Sequence, residues 1–340
     1  MKAQPHARWT PEQVLALGRS YQGAAVLAAA ADLDVFTRLS AGAQTARQLA
    51  RTLQCDSRGL TVLLNALTAL GLAEKSGERY ALSPGVKGLL TTESDQSVLA
   101  MAQHQANCLR RWAQLAGVIK SGRPAKRVPS VRGEARDQEA FIGAMDNVSA
   151  PNAARVIRAV SRVRFRHLLD LGGASGTWTI AFLRAHPACQ ATLFDLPEVI
   201  PLARRRLRAA HLRARVKLAA GNFMTDPLPS GSDFAWVSAI VHQNSRAQNR
   251  LLFTKVFRAL APGGHIAIRD VLMDETHTQP VAGALFAVNM LVATEGGGTF
   301  TFDELREDLQ HAGFTGAAVL RQDEGMNSVI VARRPAGAAP

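Results

Sequence analysis

Only three of the 340 residues are cysteine, at positions 55, 108 and 189, odd in number and far apart. That spacing builds neither a disulfide framework nor a zinc cluster. The nine histidines show no metal-ligand spacing beside carboxylates or cysteines, so no metal is expected. No apolar run reaches the roughly 18 residues that cross a bilayer. The Ala-rich stretch 23–31 is cut off by Asp32 and Asp34, and the N-terminus lacks the basic, apolar, small-residue order of a signal peptide. These absences predict a cytoplasmic protein with no membrane partner. What remains is an ordinary globular composition, 47% hydrophobic and 20% charged, long enough for two cores.

Acidic residues are also in short supply, 27 against 40 basic ones, for a net charge of +13. The excess lies in helical segments, at Arg155, Arg158, Arg162, Arg164 and Arg166, then Arg204, Arg205, Arg206, Arg208, Arg213 and Arg215. Aromatic residues are not interleaved with these arginines, which argues for a solvated face and against a nucleic-acid partner.

Residues 10 to about 100 predict short helices and one hairpin. Thr10-Pro11-Glu12 starts a helix expected to run to about Ala31, with Val14, Leu17, Tyr21, Ala25 and Ala28 on one face. A second helix is expected over 45–52. A third, capped at Asp56 or Ser57, carries Leu60, Leu63, Leu64, Leu67 and Leu70 and ends at Gly71. Segments 72–75 and 79–82 pair across Ser76-Gly77-Glu78. Helix, helix and hairpin wing form a winged-helix arrangement. Its third helix is too apolar to read bases, with little besides Arg58 and Asn65 to do so, and predicts packing or dimerisation instead. Segment 121–136 is an exposed connection, followed by a helix over 138–160 that Pro151 kinks or breaks.

From Arg166 onward strands and helices alternate, which implies a mostly parallel sheet. Strands are expected at 167–170, 191–194, 216–219, 234–240 and 265–271, with a closing antiparallel pair at 317–320 and 328–332. Helices fit at 177–185, 199–210, 246–260 and 302–312, and Ala261-Pro262-Gly263-Gly264 makes a sharp turn. The first strand ends in Asp170-Leu171-Gly172-Gly173-Ala174-Ser175-Gly176. Asp195 follows Gly172 at close to the ~20-residue spacing from which an acid accepts both ribose hydroxyls. A dinucleotide site wants Gly-x-Gly-x-x-Gly facing a pyrophosphate. Here a carboxylate, Asp170, stands ahead of the turn, repels phosphate and suits an ammonium group. S-adenosylmethionine, with an amino-acid end and no phosphate, fits better.

The turn, Phe194-Asp195-Leu196-Pro197, Gly221-Asn222-Phe223, the strand ending at His242, Ala261-Pro262-Gly263-Gly264, Asn289-Met290-Leu291, Gly296-Gly297 and Ala312-Gly313-Phe314 occur in order. Together they resemble the plant- and bacterial-type small-molecule O-methyltransferases, the group with caffeic acid, hydroxyindole and polyketide enzymes and an N-terminal dimerisation domain. The resemblance implies an α/β fold: a Rossmann-like class I methyltransferase domain with a mostly parallel seven-stranded sheet, at 166–335. Ahead of it stand a mainly helical, winged-helix-like dimerisation domain at 1–105 and a helical connection at 106–165. It implies a homodimer that methylates a hydroxylated small molecule using S-adenosylmethionine and yielding S-adenosylhomocysteine.

By position, Asp170, Gly172, Gly173, Gly176, Asp195, Leu196, Asn222, Phe223 and Ser238 would surround the cofactor. His242 falls on the family's general base and Asp270 on the acid that orients it. Phe141, Met145, Phe286, Asn289 and Met290 would line the acceptor. The chain departs from the family at several points. Gln243-Asn244 follow the histidine where the family has Asp-Trp, and Thr299 stands at a second acid, with Glu295 nearby out of register. Ala174 replaces the central turn glycine, which predicts a backbone there that avoids positive φ. The altered residues after His242 and the missing second acid leave open a homologue that binds cofactor without methyl transfer, and the +13 charge leaves open a winged-helix regulator that senses it.

Overall fold

The computed structural model describes residues 8–337; the part of the N-terminal reading that falls on residues 1–7 lies outside them. The chain divides into two compact units, Met1–Arg110 with Arg127–Asn147, and Arg111–Lys126 with Val148–Pro340. The segment 106–165 is thus shared between the units.

The first unit opens with α1 (Pro11–Arg19), α2 (Tyr21–Asp32), α3 (Val35–Ser40), β1 (Gln44–Thr45), α4 (Ala46–Leu53) and α5 (Ser57–Ala69). The single helix expected over 11–31 is two. The Ser20 hydroxyl and backbone N–H both donate to the Leu17 carbonyl, at 2.8 and 3.2 Å, and this tight local turn interrupts the helix. Helix α5 begins at Asp56, whose carboxylate accepts the Gly59 N–H at 2.6 Å, and ends at Gly71 in the left-handed region. The hairpin β2 (Ala73–Ser76) and β3 (Arg79–Leu82) follows, with β1 on its outer side in the order β1-β3-β2. Asn65, a candidate base reader, accepts hydrogen bonds from Tyr80 Oη and Lys75 Nζ at 2.8 and 3.0 Å, so it is committed to the hairpin. The core of this unit gathers Phe36, Leu49, Leu60, Leu64, Leu67 and Tyr80.

After α6 (Pro84–Lys87) come α7 (Leu99–Trp112), α8 (Leu115–Ser121) and α9 (Glu134–Ala159). The helical connection expected at 106–165 covers α8 and the second half of α7, though neither helix was expected by its own bounds. The connection before α9 is not simply exposed. Ser130 is buried and donates to Asp137, and Arg132 bridges Asp137 and Asp32. Nor does Pro151 break α9, which runs through it with the proline on an exposed face.

The second unit continues with β4 (His167–Leu171), α10 (Thr177–Ala185), β5 (Gln190–Asp195), α11 (Ile200–Ala209), β6 (Val216–Ala220), β7 (Ser232–Ser238), α12 (Arg246–Ala259) and β8 (Leu260–Asp270). It closes with β9 (Leu272–Met273), α13 (Val281–Ala293), β10 (Phe300–Thr301), α14 (Phe302–His311), β11 (Thr315–Arg321) and β12 (Ser328–Arg333). Seven strands form one sheet in the order β11-β12-β8-β7-β4-β5-β6, parallel from β8 to β6, with β12 and β11 antiparallel at the edge. Successive residues of β4 face opposite sides: Leu169 and Leu171 join one core with Phe253 and Ile268, and Leu168 joins the other with Phe182 and Trp236. Each fully buried aromatic holds about 3–5 kcal/mol against truncation to alanine.

The turn expected at 261–264 is instead a bulge inside β8. Ser232 pairs with Leu260 and Phe234 with His265, so one residue of β7 lies opposite four of β8, and Gly263 takes φ +82° to absorb the excess. The apolar helix α13 also went unpredicted. Among the described residues no helix is long and apolar enough to cross a membrane.

Candidate active site

Chain order reverses between β4 and β7, the switch point at whose carboxyl-end crevice open α/β sheets bind ligands. The residues expected to hold the cofactor converge there, from the ends of β4, β5, β6 and β7. The turn after β4 is shaped by what cannot fit. A Cβ on Gly172, at φ +64°, would stand 2.8 Å from Ile240 Cδ1, and one on Gly173 would stand 2.5 Å from Leu193 Cγ. Ala174 contradicts its expectation, for it takes φ +46°. The cause is Asp195, whose Oδ2 accepts the Ala174 N–H at 2.7 Å while Oδ1 accepts the Leu196 N–H at 2.7 Å. Burial raises the Asp195 pKa, against these two bonds and with help from the Glu198 charge.

Asp170 is buried beneath the first turn of α10. Its Oδ2 accepts the Thr179 hydroxyl at 2.6 Å and the Thr179 N–H at 3.1 Å. Its role thus includes holding the helix start, which sequence spacing does not reveal. Burial pushes its pKa up to about 7, with a smaller push from Asp195, against the Thr179 bonds. An acid raised this way holds a proton when folded that it has lost when unfolded, between pH ~4 and ~7. Stability therefore falls as pH rises through that window and levels off above it. Asp170→Asn keeps an acceptor for Thr179 and is expected to flatten this decline by a few kcal/mol. Urea melts at pH 5 and pH 8 measure it; equal slopes in both proteins would sink the idea.

At the end of β6, Asn222 Oδ1 accepts the Met224 N–H at 2.9 Å, so its oxygen already serves the local turn and retains one lone pair. The Phe223 ring borders the glycine turn, 3.8 Å from where a Gly172 Cβ would stand. Leu196 is partly exposed, and Ser238 is half-buried at the end of β7.

His242 lies on a 3-10 turn (Val241–Gln243) just beyond β7. Ala239, at φ +57°, swings the chain out of the strand, its N–H donating to the Arg269 carbonyl at 2.8 Å. The buried imidazole Nδ1 stands 2.9 Å from both carboxylate oxygens of Asp270, at the end of β8. The residues that depart from the family after the histidine brace this turn. Gln243 donates to the Ala239 carbonyl at 3.0 Å, and Asn244 donates to Asn249, which donates to the Val241 carbonyl at 2.9 Å. Gly298 N–H donates to the His242 carbonyl at 2.9 Å, and a Cβ on Gly297 would come within 2.5 Å of that same oxygen. Thr299 is buried and Glu295 exposed, and neither supplies the second acid.

Phe286 of α13 meets the His242 ring edge-on at 4.8 Å. One turn on, Asn289 Oδ1 accepts the Trp112 Nε1–H at 2.9 Å, a link over 177 residues that no local signal announces. Met290 is buried on the same helix. Phe141 and Met145 lie on α9 within the first unit, where Phe141 packs edge-on against His104 at 5.2 Å. Among the described residues no group of three or more His, Cys, Asp or Glu side chains is arranged to hold a metal ion.

A family model of the O-methyltransferase domain matches residues 112–315, and one of the O-methyltransferase dimerisation domain matches residues 18–92. The chain belongs to the O-methyltransferase family. It is 31% identical to the tetracenomycin polyketide synthesis 8-O-methyl transferase TcmO of Streptomyces glaucescens, over 96% of this chain and 97% of that protein. It is 32% identical to a 3-hydroxy-5-methyl-1-naphthoate 3-O-methyltransferase of Streptomyces sahachiroi, over 89% and 90%. Its fold matches that of human N-acetylserotonin methyltransferase, solved with S-adenosylmethionine, at a TM-score of 0.81 and 24% identity, over 98% of this chain and all of that one. The protein is an S-adenosylmethionine-dependent O-methyltransferase with a class I fold. The site's shape suits that cofactor: glycines stand where a side chain would fill the cradle, and the Asp195 and Asp170 carboxyls lie beside the glycine turn.

Proposed function

We propose that this enzyme methylates a hydroxyl of an aromatic or polycyclic acceptor, with His242 as general base and Asp270 as the carboxylate that orients it. The observation that carries the reading is the buried His242–Asp270 pair, 2.9 Å apart, with Phe286 against the imidazole. A phenol has a pKa of about 10, so little phenolate exists at neutral pH. With its Nδ1–H donated to Asp270, neutral His242 keeps Nε2 as an acceptor for the phenolic proton. S-adenosylmethionine supplies an electrophilic sulfonium methyl. His242 receives the proton, and the surrounding side chains hold the acceptor oxygen in line with that methyl. Phe286, Asn289 and Met290 flank the acceptor on the α13 side. Both relatives' names specify hydroxyls on fused aromatic or polyketide skeletons, which favours an acceptor of that class.

The enzyme further works as a homodimer. The dimerisation-domain match supports this, as does α1, which has no buried residue yet carries Val14, Leu15 and Leu17 more than half exposed. The test of function is incubation with methyl-labelled cofactor and a panel of hydroxynaphthoates and fused-ring phenols, each paired with its O-blocked analogue. Labelled O-methyl products from the free phenols alone are expected. Label appearing equally in the blocked analogues would overturn the proposal.

A further inference from the structure

Arg269 is a buried arginine of the second unit, 2% exposed, and the cofactor and acid–base roles described above leave it without a task. It precedes Asp270 on β8 but faces the opposite side of the sheet, toward α10. All the hydrogen bonds it makes there go to neutral acceptors: Nε and Nη2 to Asn327 Oδ1 at 3.0 and 2.8 Å, and Nη1 to Ser238 Oγ at 3.1 Å. Its guanidinium lies over the Trp178 ring at 4.8 Å. Burial lowers its pKa to about 10, so it is still a cation at neutral pH. The Asp270 and Asp323 charges favour the cation but neither carboxylate accepts a hydrogen bond from it, so burial still outweighs them and a hydrogen-bonded anion would reduce the desolvation cost.

Register shows where that anion belongs. Arg269 pairs with Ser238 across β8 and β7, and Leu171 pairs with Val237 across β4 and β7, so Ser238 stands beside Gly172 of the cofactor turn. Asp170, Ser238 and Arg269 face the same side of the sheet. Asp170 pairs with Trp236, two residues before Ser238, so the row is diagonal: a carboxylate on β4, a hydroxyl on β7 one side-chain repeat further along, and a guanidinium beside that hydroxyl on β8. The amino-acid end of S-adenosylmethionine is a zwitterion, and this row has the complementary polarity: negative for the ammonium, positive for the carboxylate.

We propose that Arg269 is a positioning residue for the cofactor's carboxylate and acts through Ser238. The guanidinium donates to Ser238 Oγ and fills an acceptor lone pair. The serine's own proton is then left to donate outward, and the adjacent cation strengthens that hydrogen bond. The inference rests on S-adenosylmethionine as the cofactor.

The test is calorimetric titration with S-adenosylhomocysteine and with its decarboxylated analogue. The wild type is expected to prefer the carboxylated ligand by roughly 10- to 100-fold, the range of one charge-assisted hydrogen bond. Ser238→Ala should lose most of that preference while binding the decarboxylated ligand as before, and Ser238→Thr should retain it. Arg269→Met should match Ser238→Ala provided its melt shows it folded; if it is not, Arg269→Gln, a neutral side chain that can still donate to Asn327, makes the same comparison. Equal weakening of both ligands in Ser238→Ala, or an undiminished preference, would overturn the proposal. Failure of the wild type to bind either ligand would instead overturn the cofactor reading beneath it.

Discussion

His242→Ala is expected to lower kcat by about 10²–10⁴-fold, the range of one general base, while leaving the affinity for S-adenosylhomocysteine within about twofold. The expected separation follows from position. His242 lies on the turn beyond β7 with its ring against Asp270 and Phe286, whereas the residues proposed for the cofactor lie on the strand ends before it, the nearest in sequence being Ser238 at the end of β7. Asp270→Asn gives a sharper test. Asp270 Oδ1 also accepts the Val271 N–H at 2.9 Å. In the asparagine variant that N–H retains the amide oxygen and turns the NH₂ group toward His242 Nδ1. The imidazole must then accept at Nδ1 and carry its proton on Nε2, the tautomer that cannot take a proton from the acceptor. Asp270→Asn should therefore fall nearly as far as His242→Ala, and the double variant little further. Single-turnover rates measure all three. A His242→Ala enzyme within tenfold of wild type would remove the histidine from the chemistry.

The sequence revealed most where chemistry and local pattern coincide. The strands at the β4, β5 and β6 positions, the start and end of α10, and the hairpin in the first unit follow from alternation, caps and glycine. The His242–Asp270 pair was available only through the family pattern, because the two are 28 residues apart and meet through strand register. Helix α13 was missed, and α7 and α8 were foreseen only as a helical connection over 106–165 without their bounds. Apolar α13 has no clear period, so its sequence does not separate a helix from a buried strand. Ala174 was misread because propensity alone excludes positive φ for alanine, whereas a carboxylate 21 residues on captures its N–H. Arg269 did leave a signal, an arginine directly after the apolar residues Ile266-Ala267-Ile268, but its partners Ser238 and Asn327 come from another strand and from the turn before β12.

Asp195→Ala is expected to weaken S-adenosylhomocysteine binding by at least about 100-fold, because two losses coincide. The first is direct: an ionised acceptor for the ribose hydroxyls, each such bond being worth about 1.5–3 kcal/mol. The second is conformational. Ala174 at φ +46° costs roughly 1–2 kcal/mol, and the Asp195 carboxylate is what offsets it. Without that oxygen the turn relaxes toward negative φ, and the shape set by Gly172 and Gly173 goes with it. Combining Asp195→Ala with Ala174→Gly separates the two contributions, since glycine adopts positive φ without the Cβ penalty. The glycine is expected to restore the melting temperature and leave the affinity low, because the ribose acceptor is still missing. Affinity that returns with the glycine would show that Asp195 works by holding the turn and makes no contact with the ribose. Wild-type affinity in Asp195→Ala itself would mean that the cofactor binds away from the ends of β4 and β5.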